Sequence, residues 1–195
     1  MRTLLRLVAT TLVWGIATAA FAQTLWHDLP YGMSVRQVKK LVPEAKDVFD
    51  SRIEDGEMER LRIDRFRMVD KDFSVHFFFS ARDQKLAAVT VSLGDFVDVS
   101  TVREAFEALS KHFRGKYGHE VSSELRELRN KAGITGHAVW MSGYTRIDIV
   151  VIPATRTTAM FFARYRIECP SSNRKRGIVE LQCPEIVANK TKGQK

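Results

Sequence analysis

Five histidines, two cysteines and Ser34 are the residues whose types could carry metal, redox or nucleophilic chemistry in this 195-residue chain. His119-Glu120 starts like the zinc-protease motif, in which histidines at i and i+4 face one metal with the glutamate as base. The fifth position is Ser123, so that site does not form. Gly32-Met33-Ser34 starts like a nucleophile elbow, yet Arg36 stands where the closing glycine belongs, and Ser34 serves better as a helix cap. His27-Asp28 is a lone dipeptide, with no further histidine before His76. His112 falls late in a helical pattern, where a solvent-exposed or dipole-stabilised imidazole is the ordinary explanation. There is no Gly-rich phosphate loop and no Cys-x-x-Cys. These residues imply no metal and no cofactor, and leave a hydrolase with dispersed residues as the only enzymatic alternative.

The elements that would position any site begin after residue 22. Residues 1–22 place Arg2 and Arg6 ahead of a short apolar run and close on Ala20-Phe21-Ala22, the pattern of a secretory signal peptide. A spanning helix needs about 20 predominantly apolar residues, and no later segment supplies them, so the mature chain is expected to lack a transmembrane segment. Export puts the protein in the periplasm if the source is bacterial and outside the cell otherwise. Without Arg2 and Arg6 the formal charge falls from +8 to +6, since the leader holds no acids. A basic exported protein favours an envelope protein or an anionic ligand as partner, and nucleic acid is not expected. In an oxidising compartment Cys169 and Cys183, each followed by proline, are expected to form a disulfide closing residues 169–184. Residues 185–195 lose periodicity and read as a disordered tail.

Between them, residues 23–168 read as a single α+β domain. Ser34 and Gln37 form a capping box ahead of Val35, Val38, Leu41 and Val42 at helical spacing, ended by Pro43. A second helix carries Thr101 and Glu104 as its box and Val102, Ala105, Phe106, Leu109 and Phe113 as its buried stripe. Residues 120–131 fit either a helix or an exposed strand. Residues 73–80 and 86–93 alternate as a hairpin about a turn at Ala81 to Gln84. "HAVWMSG", "YTRIDIVVIP" and "AMFFARYRIE" supply three more strands. The order capped helix, irregular stretch and three strands thus occurs twice, over about 30–94 and 98–168. An antiparallel sheet with its helices on one face accounts for the alternation.

The stretch "RLRIDRFRM", residues 60–68, then reads as a strand. Leu61 and Ile63 alternate with Arg60 and Arg62, the phase slips at Asp64-Arg65, and Phe66 and Met68 resume against Arg65 and Arg67. One extra residue is a β-bulge, which keeps the apolar side chains on the helix-covered face and turns the four arginines away. The same assignment puts Phe73, Val75, Phe77, Phe79, Val89, Val91, Ile147, Ile149, Val151, Phe161, Tyr165 and Ile167 inward. It collects His76, Phe78, Thr90, Ser92, Trp140, Arg146, Asp148, Phe162, Arg164 and Arg166 on the open face. Arginine beside large rings is the composition of binding hot spots; a solvated face with charges guarding its edges is the plainer reading.

The run Leu29-Pro30-Tyr31-Gly32-Met33-Ser34, with Gln37-Val38 and Leu41, resembles the start of exported modules of the SmpA/OmlA and β-lactamase-inhibitor-protein type. That resemblance implies small helices against an antiparallel sheet, in tandem in the inhibitor protein, and a non-enzymatic role in binding another protein. The lipid-attachment cysteine of the SmpA/OmlA lipoproteins has no counterpart here. The sequence therefore reads as an exported, non-enzymatic binding or envelope-associated accessory protein. Its candidate binding residues are Arg60, Arg62, Arg65, Arg67, His76, Phe78, Trp140, Arg146, Arg164 and Arg166. The alternative is a soluble carrier or sensor of an anionic small molecule held between sheet and helices.

Overall fold

The computed structural model describes residues 23–49, 51, 53–54, 56–128 and 133–168. The expected leader, the Cys169–Cys183 bridge and the C-terminal tail lie outside these residues. After a short 3-10 turn at Trp26–Asp28, helix α1 spans Val35–Leu41 and leads into strands β1 (Lys46–Asp47), β2 (Ile53–Glu54), β3 (Glu57–Met68), β4 (Lys71–Ser80) and β5 (Leu86–Asp98). Helix α2 (Val99–Tyr117) is followed by β6 (Ser122–Glu127), β7 (Ile134–Ser142), β8 (Thr145–Pro153) and β9 (Thr158–Ile167). The strands form one nine-stranded sheet in the order β1-β3-β4-β5-β9-β8-β7-β6, with β2 also on β3, and every pair is antiparallel. No helix among the described residues is long and apolar enough to cross a membrane.

The capping box of α1 forms as expected, while of the apolar positions Val38 is buried and Leu41 is exposed. Gln37 N–H donates to Ser34 Oγ and Ser34 N–H to Gln37 Oε1, the reciprocal capping box. The segment before it is laced to the start of β5: Gly32 N–H donates to Leu86 O and Leu86 N–H to Met33 O. Gly32 makes this turn at φ +80°, a left-handed conformation that costs glycine little. Helix α2 starts three residues earlier than the Thr101–Glu104 box implied. Asp98, the last residue of β5, is its N-cap, and its carboxylate accepts from Ser100 N–H at 2.9 Å. An ionised acid at a helix N-terminus also meets the positive end of the dipole.

The buried stripe of α2 is the expected one, and it packs on β5, β7 and β9. Phe113 sits at the centre, with ring centroids 5.3 Å from Trp140 and 6.0 Å from Tyr165. Burying such a ring stabilises the fold by about 1.5–3 kcal/mol. All twelve residues assigned inward join this core or pack against it. Trp140 is the exception among those assigned outward. It pairs with Ile147, shares that residue's face, is fully buried, and donates its indole N–H to Gly118 O at 3.1 Å. Val139-Trp140-Met141 has no alternation to set the phase, and the carbonyl at the end of α2 supplies the partner a buried indole needs. Trp140 is therefore a core residue and not part of the open face.

The ambiguous segment is strand over residues 122–127. Leu125 lies across Gly136 of β7, where an added Cβ would stand 2.6 Å from Leu125 Cδ1, so the glycine makes room for the leucine. The bulge expected at Asp64-Arg65 is present, since Ile63 pairs with Val75 and Phe66 with Phe73. A second bulge places Arg60 as the extra residue between Glu59, opposite Phe78, and Leu61, opposite Phe77.

Candidate functional site: the open sheet face

The face opposite the helices is built as cross-strand rows. Arg62, His76, Thr90, Arg164 and Asp148 lie side by side across β3, β4, β5, β9 and β8. Beside them run Glu59, Phe78, Ala88, Arg166 and Arg146, and on the other flank Ser74, Ser92, Phe162 and Val150. The sheet brings these residues to one face because every second residue of each strand points the same way.

The arginines are anchored. Arg62 forms a two-pronged bridge to Glu59 at 2.8 and 3.0 Å. Arg164 reaches Glu57 at 2.7 Å across the ring of Phe78, its guanidinium carbon 5.2 Å from the ring centroid. Arg146 bonds Asp148 at 2.8 Å and Glu168 at 3.1 Å, and Arg166 stands 3.6 Å from the same Asp148. Arg65 and Arg67 share Asp72, each at 3.4 Å. The expected positive surface is thus largely offset by its own acids. Phe78, expected as an exposed ring, is 9% exposed beneath Arg164. Arg60 stands apart, its Nη1 bonded to Gln84 Oε1 at 2.9 Å.

Glu59 is the hub. Burial pushes its carboxyl up, but hydrogen bonds from His76 and Arg62 outweigh that and hold it down to about 2. His76 Nδ1 lies 2.8 Å from Glu59 Oε1, and His76 Nε2 lies 2.8 Å from Ser74 Oγ. Serine, histidine and acid in that order reproduce the connectivity of a hydrolytic triad. The Ser74 hydroxyl is also within reach of Ser92 O at 3.3 Å. β4 is laddered on both sides, by β3 and β5, which leaves its strand backbone poorly placed to donate to an oxyanion. The hydroxyl of Thr90, between His76 and Arg164, is buried without a partner among the described residues.

Glu57, Glu59 and Ser74 escaped the sequence reading. Strict alternation places Glu59 on the side of Leu61, and only the bulge at Arg60 moves it beside Arg62. Among the described residues no cluster of three His, Cys, Asp or Glu could hold a metal ion. On the helix side a groove of about 750 Å³ runs between Val69-Asp70 and α2, rimmed by exposed Lys111, His112 and Lys116. No protein-family model matches this chain, and comparison with curated proteins and with solved structures finds no match.

Proposed function

We propose that this chain is an exported, non-enzymatic binding protein that holds an envelope protein against its open sheet face. The observation that carries the reading is the anchoring of Arg62, Arg146 and Arg164 by half-buried or buried acids on a face that no helix among the described residues covers. Arginines fixed in this way lose little side-chain entropy on binding, and arginine is enriched at the centres of interfaces. A partner that presents both signs of charge fits such a face better than a uniformly anionic one. The SmpA/OmlA and inhibitor-protein resemblance of residues 29–41 points the same way. So does the arrangement of the halves, which we read as a repeat of pattern. Each leads with a helix and ends in an antiparallel meander, and the last strands, β5 and β9, lie side by side at the sheet centre.

A carrier of an anionic small molecule would use the groove beside α2. That groove is open and its cations are solvent-exposed, so it offers less preorganised charge than the sheet face.

The test compares capture from the envelope fraction by the immobilised mature protein, by Arg67→Ala with Arg166→Ala, and by Lys111→Ala on the helix side. Arg62 is unsuitable, because its removal strands the carboxylate of Glu59. Exposed substitutions usually change stability by about 0.5 kcal/mol or less, so the paired arginine variant should fold normally and capture several-fold less, with Lys111→Ala unchanged. Equal capture by all three proteins would remove the open face as the binding surface.

A further inference from the structure

The two edges of the sheet are treated differently. The β3 edge carries two bulges and is partly covered by β1 and β2, with Lys46 bridged to Asp64 along it. Such features block the addition of another strand. Over Ser122–Glu127 the β6 edge has neither a bulge nor, among the described residues, a covering strand, although it too carries an ion pair, Arg126 with Glu124. Its register with β7 runs unbroken from Ser122 opposite Val139 to Glu127 opposite Ile134, it contains no proline, and no described residue pairs beyond it. Leu128 N–H donates to Gly133 O at 2.9 Å. By the two-residue alternation of an antiparallel ladder, Arg126, Glu124 and Ser122 also turn their backbone groups toward β7. Ser123, Leu125 and Glu127 turn theirs outward.

The residues along this edge are complementary to themselves. A two-fold axis through Leu125 sets Glu124 opposite Arg126 of a second copy, and Arg126 opposite its Glu124. Both residues lie on the open-face side, where Arg126 Nε already stands 3.5 Å from Glu124 Oε1 of its own strand. The four charges would alternate in sign around the axis. On the helix side Leu125 would meet Leu125, and the Ser123 hydroxyl would face the Glu127 carboxylate, itself held by Arg103 at 3.2 Å. About six N–H···O=C bonds would join the edges. We propose that two copies of this chain pair antiparallel through β6, making one continuous sheet. The axis is perpendicular to the sheet, so both open faces lie on the same side. The pairing stands independently of what the open face binds.

Sedimentation of the full chain over about a hundredfold range of concentration tests this, with circular dichroism as the check on folding. The wild type should show a reversible monomer–dimer equilibrium. Glu124→Arg sets arginine against arginine across the axis, and Arg126→Glu sets glutamate against glutamate. Cross-strand charge pairs reversed twice should raise the dimer dissociation constant about tenfold in each. An equal mixture of the two variants restores both pairs, as does the double variant Glu124→Arg with Arg126→Glu, and both should dimerise as the wild type does. A wild type that stays monomeric would overturn the pairing and leave the edge to the chain's own segment or to a foreign strand. Dimers indifferent to either single change, or single variants not rescued by mixing, would overturn it as well.

Discussion

Glu59 shows what a single position contributes here. Its carboxyl ordinarily titrates near 4.5 and in the fold near 2, because the bonds from His76 and Arg62 outweigh its burial. A group with a depressed folded value contributes stability that is fully present above its unfolded value and is lost as pH falls through its folded value. The contribution is on the order of 3 kcal/mol. Glu59→Gln should therefore be less stable at neutral pH, and its stability should fall less than that of the wild type between pH 4.5 and pH 2. Urea midpoints measured across that window decide it, and parallel curves would mean that Glu59 is not held low. None of this was legible in the sequence. The phase of the arginines could be followed from Leu61 to Met68, but the bulge that turns Glu59 toward them is set by pairing with β4.

At the level of elements, helix starts divide in the same way. The Ser34 box reads directly from four residues because both of its partners are local. The start of α2 does not, because Asp98 is the end of a strand whose pairing with Thr158 of β9 fixes where the helix may begin. Asp98→Ala should cost about 1 kcal/mol in a urea titration, and Thr101→Ala clearly less. The reverse order would restore Thr101 as the cap. Strand β6 was ambiguous for a related reason. Val121, Leu125 and Leu128 suit one side of a helix, but the space above Gly136 that receives Leu125 belongs to another strand. The β3–β4 turn is also hidden. Val69 and Asp70 both take positive φ, +45° and +60°, in a two-residue connection where glycine or asparagine is usual. Val69 is partly buried against the core, which offsets some of that strain.

For the whole molecule, alternation was enough to place an antiparallel sheet with helices on one face, because faces follow from periodicity. The order of strands was not legible, since the pairing of β5 with β9 joins residues far apart in the chain and no local signal encodes it. That pairing has an energetic consequence. One core cluster takes Val38 and Phe77 from the first half together with Phe113, Trp140 and Phe161 from the second. Neither half can bury its apolar face alone, so calorimetry should give one cooperative transition, with calorimetric and van't Hoff enthalpies equal. Two resolved transitions would mean that the halves are separate folding units.

The placement of the indoles gives each half its own optical signal. Trp26 lies in the first half, its ring centroid 5.1 Å from Phe66 and 5.7 Å from Phe77, with its N–H buried and unbonded among the described residues. Trp140 lies in the second, tied to the last turn of α2 through Gly118 O. Replacing Trp14 and either of these two by phenylalanine leaves a chain with one emitter, whose fluorescence shifts to the red when its own surroundings admit water. Loss of the helix from the sheet could then be followed at Trp140 while Trp26 reports on the β3–β4 side, with no label attached.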